Sequence, residues 1–201
     1  MLARRDALRL KMAIQTKELM PVEDYFAWAL QQEHRYEYID GELIEMTGAS
    51  NKHSQIIMNI ILALGNAVDL SRYALRNQGM RVQISPSRYV YPDLSVIRGN
   101  PVFRDASEYN LMNPCFVLEV TSPSSIARDR SDKLGYYFSL PSIEACLLVD
   151  QHRLNAELYT RGDAGWLPQT FTDPEAVIPL AMLSCDLPLD HVYRGITFEQ
   201  T

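Results

Sequence analysis

Three ionisable residues in the middle of the chain have the types and surroundings that metal-assisted chemistry requires. Asp93 opens an apolar segment, Glu119 lies inside the apolar run CFVLEV, and Lys133 follows on a predicted helix. A carboxylate is costly to bury alone, so two acids within strand-like segments need a reason. A shared divalent ion is one, because Mg²⁺ binds carboxylate oxygens, and a bound metal lowers the pKa of its water and stabilises charge on a phosphoryl oxygen. The Lys133 ammonium could orient the water or neutralise developing charge.

The same three residues also have purely structural explanations. Pro-Asp pairs are common in turns, and Asp93 alone is better explained as a turn residue. An ion pair between Glu119 and Lys133 would satisfy both side chains, and it is the main alternative to a metal site. Asp129 and Tyr137 lie at i−4 and i+4 from Lys133, so on a helix they are its neighbours on one face.

The segments that must position these residues predict an α+β fold, a mixed β-sheet flanked by helices. Asp40-Gly41 is typical of a tight hairpin turn between strands over 36–39 and 42–46. From Asn51 to about Leu70, apolar residues recur at four-residue intervals and predict a helix with one buried face. Residues 115–120 and 144–150 are apolar runs of the kind found in strands buried on both faces. Residues 99–114 are predicted to be a loop.

The domain organisation predicted from the sequence is simple. We predict a helical or frayed extension over residues 1–20 and a single domain over residues 21–201. A chain of 201 residues with 47% hydrophobic and 22% charged residues can build one full core. We find no internal repeat and no linker.

Composition also bears on location and partners. No apolar run approaches the ~20 residues of a membrane span, and the first residues lack a signal-peptide cleavage site. We therefore expect a cytoplasmic protein with no membrane partner. Three separated cysteines give neither a disulfide framework nor a metal-binding spacing. The formal net charge of −6 argues against a broad nucleic-acid-binding surface, but not against cleavage at a metal site.

The motifs, taken in order, resemble the PD-(D/E)xK nuclease superfamily and, more closely, the bacterial Uma-type putative restriction endonucleases. The matching features are YEYIDGEL (36–43), His53, Pro92-Asp93, EVTSPSS (119–125), Asp129, Lys133, Tyr136, Tyr137 and LLVD (147–150). Together they cover roughly residues 22 to 190. A Pro-Asp pair by itself is weak evidence, whereas the ordered set is specific to the family.

The resemblance implies that residues 21–201 form a restriction-endonuclease-like domain with a restriction-endonuclease-like core. It also implies an endonuclease that hydrolyses phosphodiester bonds of nucleic acid, DNA rather than RNA, with water activated by Mg²⁺ or Mn²⁺. It assigns Asp93 and Glu119 as metal ligands, the backbone carbonyl of Val120 as a third ligand, and Lys133 as the residue that positions the water. Thr121 stands where the superfamily carries its usual lysine, so Lys133 would have to reach back from the helix. The resemblance also implies a homodimer.

Five further residues are candidates for accessory roles. These are Glu37, Glu42, His53, Asp129 and Tyr137. Glu37 and Glu42 could be accessory acids, with a solvated hairpin face as the alternative. His53 could contact a phosphate or act as an auxiliary acid or base, with a helix cap or surface position as the alternative.

A non-catalytic scaffold or binding protein that retains the nuclease fold is the competing hypothesis, since fold does not guarantee chemistry. The nuclease hypothesis predicts that Asp93, Glu119 and Lys133 converge around an open, hydrated pocket. The scaffold hypothesis predicts a closed, desolvated ion pair. Hydrolysis of a phosphate ester outside nucleic acids is a third interpretation.

Overall fold

The structure is a computed structural model that describes residues 19–46, 48–121 and 132–198. The predicted N-terminal extension, apart from Leu19 and Met20, and the candidate Asp129 lie outside these residues. The helices are α1 (Val22–Ala29), α2 (Asn51–Ala67), α3 (Leu134–Ser139) and α4 (Leu189–Val192), with a 3₁₀ turn at Ala181–Leu183. The strands are β1 (Tyr36–Ile39), β2 (Glu42–Glu45), β3 (Tyr73–Asn77), β4 (Arg81–Ser85), β5 (Arg88–Val90), β6 (Leu94–Arg98), β7 (Asn110–Leu111), β8 (Phe116–Thr121), β9 (Ala145–Asp150), β10 (Ala156–Gly162), β11 (Gly165–Phe171), β12 (Val177–Leu180) and β13 (Cys185–Pro188).

Most of the strands belong to two mixed sheets. The six-stranded sheet has the order β11-β10-β9-β8-β6-β3, and its β8–β9 pair is parallel. The five-stranded sheet has the order β2-β1-β5-β4-β7, with a parallel pair between β4 and β7. Strands β12 and β13 form a separate antiparallel pair. The α+β class with mixed sheet and flanking helices is confirmed, and the strands divide between two main sheets.

The two apolar runs form the centre of the six-stranded sheet. Every residue of β8 and of β9 is buried, as predicted for strands covered on both faces. Alternation along β8 directs Phe116, Leu118 and Val120 into the core that contains α2. Val117 points to the opposite face, into a second core that includes Tyr137. By the same alternation Glu119 lies on the face of Val117, towards α3.

Helix α2 covers one face of the six-stranded sheet. Ile56, Ile60 and Leu64 follow one another at four-residue spacing and are completely buried, as the apolar periodicity predicted. The helix begins after Ser50, whose side-chain oxygen accepts the backbone N–H of His53 at 3.1 Å. This is the usual N-cap arrangement, and it fixes where the first turn of α2 lies.

The Asp40-Gly41 hairpin turn is confirmed. Asp40 has φ 50° and Gly41 has φ 95°, the left-handed conformations that a two-residue turn between twisted strands requires. Along β1, Tyr38 packs with Tyr25 of α1 on one face of the five-stranded sheet. Glu37, its neighbour in sequence, therefore points to the opposite face.

Two short strands were not predicted from the sequence. Strand β5 spans only Arg88–Val90, and β7 lies inside the predicted loop over residues 99–114. Strands of three and two residues are too short for an alternating pattern. Both pair with β4, so contacts distant in sequence define them. In the part of the chain that the structure describes, no helix has the length and apolar character needed to cross a membrane.

Candidate active site

Asp93 and Glu119 are brought together by two neighbouring strands. Strand β6 runs antiparallel to β8, with Leu94 opposite Leu118. Asp93, one residue before Leu94, therefore lies beside Glu119, one residue after Leu118. The backbone N–H of Val120 donates to Asp93 Oδ2 at 2.7 Å, which ties the start of β6 to β8. The exposed fraction is 5% for Asp93 and 4% for Glu119, so the strand pair holds two acids almost out of solvent.

Lys133 joins the two sheets. It immediately precedes α3 and has helical backbone angles. Its Nζ lies 2.9 Å from Oε1 of Glu119 on the six-stranded sheet and 3.1 Å from Oε1 of Glu37 on the five-stranded sheet. The lysine is 5% exposed. The ammonium makes a charge-assisted hydrogen bond to Glu119 and an ion pair with Glu37, and both contacts stabilise its positive charge.

The two hairpin acids occupy different environments. Glu37 is 1% exposed, and its Oε1 also accepts the backbone N–H of Tyr91 at 3.1 Å. Glu42 is exposed and lies opposite Ile39, next to the hairpin turn. The structure therefore places Glu37 in the cluster, while Glu42 has the position expected of a solvated hairpin face.

Tyr137 supports Glu119 from α3. Its hydroxyl donates a short hydrogen bond to Glu119 Oε1, the oxygen that Lys133 also contacts. The side chain is completely buried. Burial raises the pKa of Tyr137 well above its ordinary value, and the negative charge of Glu119 raises it further. The phenol therefore remains protonated and acts as a donor.

His53 contacts Asp93 from the first turn of α2. Its Nε2 lies 3.2 Å from Asp93 Oδ2, the oxygen that accepts the Val120 N–H. Its Nδ1 is buried and has no hydrogen-bond partner within the residues that the structure describes. The side chain of His53 is 15% exposed, so of the structural alternatives for this residue a surface position does not apply.

Gln151 is a polar residue of this region that sequence reasoning missed. It is 4% exposed and follows β9 directly. Its Oε1 accepts a short hydrogen bond from the hydroxyl of Ser50, and its backbone N–H donates to the carbonyl of Thr121 at 3.2 Å. The sequence signal that could have identified Gln151 is an amide side chain directly after the buried run LLVD.

The donor chemistry of the cluster suits a hard divalent cation. Among the described residues, no group of three or more His, Cys, Asp or Glu side chains forms a metal-binding cluster. Mg²⁺, however, commonly binds through one or two carboxylates and completes its shell with water. Asp93, Glu119 and the Val120 carbonyl offer oxygen ligands only, which fits Mg²⁺ or Mn²⁺ better than a metal that prefers nitrogen or sulfur.

The arrangement has features of both hypotheses drawn from the sequence. Asp93, Glu119 and Lys133 come together in space, as a nuclease site requires. The contact between Glu119 and Lys133 is closed, and both side chains are nearly buried, as a structural ion pair requires. Metal binding and activity distinguish the nuclease from the scaffold.

Comparisons with known proteins give consistent matches. A model of the Uma2 family, described as putative restriction endonuclease, matches residues 22–190. The uncharacterized protein sll1609 of Synechocystis sp. is 32% identical over 158 residues, 78% of this chain and 89% of that protein. The uncharacterized protein slr1290 of the same organism is 31% identical over 178 residues, 88% of this chain and 92% of that protein.

A solved structure has the same fold. The crystal structure of a putative nuclease belonging to DUF820 from Anabaena variabilis superimposes with a TM-score of 0.71 and 20% sequence identity. The match covers 87% of this chain and 98% of that one. At this identity the likeness concerns the fold alone.

Proposed function

Because the chain belongs to the Uma2 family of putative restriction endonucleases, as its motif order predicted, we propose that it is a metal-dependent endonuclease acting on DNA. The observation that carries this proposal is that Asp93, directly before β6, lies beside Glu119 of β8, with Lys133 contacting Glu119. This joins two oxygen-donor acids and one cation from three separate elements. Family and fold support a nuclease, and the roles below are our proposal.

Asp93, Glu119 and the Val120 carbonyl would hold the ion, Mg²⁺ or Mn²⁺. A divalent ion bound there lowers the pKa of a water molecule and stabilises negative charge on the phosphate. The protein's own contribution is to orient both carboxylates. For Asp93 the Val120 N–H contributes to this, and for Glu119 the Tyr137 hydroxyl does.

Lys133 would act as a cation that holds the attacking water and screens charge on the phosphate. Two carboxylates within 3.1 Å stabilise its ammonium form, so it is not suited to accept a proton. Strand alternation places Thr121 on the same face of β8 as Glu119. Lys133 brings an ammonium to this face from the helix side. This is the arrangement expected if Lys133 replaces the lysine that the superfamily usually has at the position of Thr121.

A structural scaffold is the second candidate function. It is favoured by the closed 2.9 Å contact between Glu119 and Lys133 and by the burial of both side chains. On this hypothesis the cluster contributes to specifying how α3 packs between the two sheets, and the protein binds a partner without cleaving it.

The test is nicking of supercoiled plasmid by the purified protein with Mg²⁺ or Mn²⁺. Asp93→Asn and Glu119→Gln keep the size of the side chains and one acceptor oxygen while removing the charge. Glu175→Gln is the matched control, because Glu175 is an exposed acid on the loop before β12. We expect nicking by the wild type and the control, and its loss in both site variants and with a chelator.

Equal nicking by all four proteins would identify a contaminant and contradict the nuclease assignment. Absence of nicking together with absence of Mn²⁺ binding in calorimetry would favour the scaffold. Mn²⁺ binding that Asp93→Asn abolishes, without nicking of this plasmid, would keep the metal site and point to a narrower substrate.

A further inference from the structure

The carboxylate of Asp93 is contacted by polar groups from two different elements. The Val120 N–H, 2.7 Å from Oδ2, comes from the strand beside it. His53 Nε2, 3.2 Å from the same oxygen, comes from helix α2. The orientation of Asp93 therefore depends on the position of the first turn of α2 as well as on the sheet.

That first turn is attached to the sheet through one hydroxyl group. Ser50 Oγ accepts the backbone N–H of His53 as the helix cap, and the same hydroxyl donates to Gln151 Oε1. Gln151 is fixed in turn at the end of β8, because its backbone N–H and its side-chain Nε2 lie 3.2 Å and 3.4 Å from the carbonyl of Thr121.

These contacts close a ring that begins and ends on adjacent residues of β8. From Val120 the ring runs through Asp93, His53, Ser50 and Gln151, and it returns to β8 at Thr121. Gln151 is nearly buried, so its amide would be costly to place there without partners. Its two side-chain hydrogen bonds fix it in the orientation that holds Ser50.

We propose that Ser50, His53 and Gln151 form a positioning brace that sets the orientation of the Asp93 carboxylate for metal binding. This inference rests on the proposed function, because it assumes that Asp93 is a ligand. The brace gives His53 a positioning role in place of a phosphate contact or an acid–base role. It also makes Gln151 a positioning residue of the site. Partners that orient a ligand carboxylate typically contribute about 10-fold to 100-fold in metal affinity.

The first test is Mn²⁺ titration of the full chain by calorimetry. His53→Leu removes the polar contact with Asp93, whereas His53→Gln retains a side-chain N–H that can make it. Gln151→Leu removes the acceptor for Ser50, whereas Gln151→Glu retains one. We expect both leucine variants to weaken Mn²⁺ binding by about 10-fold or more, and the two conservative variants to recover most of the affinity. Thermal unfolding confirms that each variant is folded.

The second test does not involve a metal. The amide resonance of Val120 in ¹H–¹⁵N spectra reports its hydrogen bond to Asp93 Oδ2. We expect this resonance to shift in His53→Leu and also in Gln151→Leu, although Gln151 touches neither Val120 nor Asp93 through any hydrogen bond described above. His53→Gln should bring it back towards its wild-type position.

The outcomes separate the brace from the proposed function. If Asp93→Asn abolishes Mn²⁺ binding while both leucine variants bind as the wild type does, the brace is wrong and the metal site stands. If the wild type binds no Mn²⁺, the metal site is wrong. In that case the Val120 resonance decides on the brace. If the resonance is unchanged in both leucine variants, the brace is wrong as well. If the resonance shifts in both, the brace stands as an arrangement that orients Asp93.

Discussion

At the scale of single residues, Tyr137 shows how burial sets the state of a side chain in the cluster. Its pKa is raised well above the ordinary value by burial and by Glu119, whereas an unfolded tyrosine ionises near pH ~10. The stability that comes from this protonated phenol is therefore complete below about pH 10. It declines as the pH rises further, because the unfolded state then releases a proton that the folded state keeps.

We expect Tyr137→Phe to lower the free energy of unfolding at neutral pH by about 1.5–3 kcal/mol, the usual contribution of a hydrogen bond to a charged group. The free energy of unfolding of the variant should also fall less steeply above pH ~10 than that of the wild type. Urea unfolding at pH 7 and above pH ~10 measures both effects. Tyr136→Phe is the matched control on the same helix, and an equal loss of stability in the control would contradict the role given to the Tyr137 hydroxyl.

Lys133 allows a test of how the cluster's charges are balanced. Lys133→Met leaves Glu37 and Glu119 without the ammonium between them, so we expect a loss of about 3–5 kcal/mol, as is typical when one partner of a buried ion pair is removed. The triple variant Glu37→Gln, Glu119→Gln, Lys133→Met removes the carboxylate charges as well and should recover most of the stability. Denaturant unfolding measures both variants. Additive losses in the triple variant would show that the three side chains are not coupled.

Sequence reasoning proposed most of the members of this cluster and one of its contacts, the ion pair between Glu119 and Lys133, but not the other contacts. Asp93, Glu119 and Lys133 stood out because acids and a lysine adjoin apolar runs. For Glu37 the sequence allowed both a solvated position and a position in the site, because a hairpin pattern shows which residues share a face but not which face is covered. Gln151 was missed because its role depends on Ser50, which is distant in sequence and meets it only through the packing of α2.

At the scale of elements, the strongest local signals predicted the parts that position the site. The long apolar periodicity of α2 and the two continuous runs of β8 and β9 each specify a buried face without help from other segments. Strands β5 and β7 carry no such signal, and their pairing with β4 forms only when the five-stranded sheet assembles. The division of the strands between two sheets was unpredictable for the same reason, since it depends on pairings between distant segments.

The hairpin that carries Glu37 depends on a glycine at its turn. Gly41 has φ 95°, and a Cβ at this position would lie 2.6 Å from the Cβ of Leu19. We expect Gly41→Ala to lower stability by at least about 1–2 kcal/mol, from the backbone conformation alone. Gly135→Ala, in an exposed and open position on α3, should instead stabilise the protein by about 1 kcal/mol. Thermal unfolding compares the two, and effects of the same sign would contradict the stated backbone argument.

At the scale of the whole molecule, the number of chains would determine what kind of cut the proposed nuclease makes. The single domain over residues 21–201 remains a prediction. In our proposal each chain has one site. A monomer with one site nicks one strand per encounter, whereas a two-fold dimer presents two sites to two antiparallel strands. We expect a homodimer, with a molar mass about twice the 23.0 kDa of one chain. Light scattering on a sizing column measures this mass over a range of protein concentrations.

Plasmid cleavage provides the functional counterpart of the mass measurement. A dimer should convert supercoiled plasmid to linear DNA with little accumulation of the nicked form, because both strands are cut before dissociation. A mixed dimer of wild-type and Glu119→Gln chains should accumulate nicked plasmid, since only one of its two sites is active. A mass of one chain at every concentration, with nicked plasmid preceding linear plasmid in the wild type, would exclude the dimer and leave the protein as a nuclease that cuts single strands in turn.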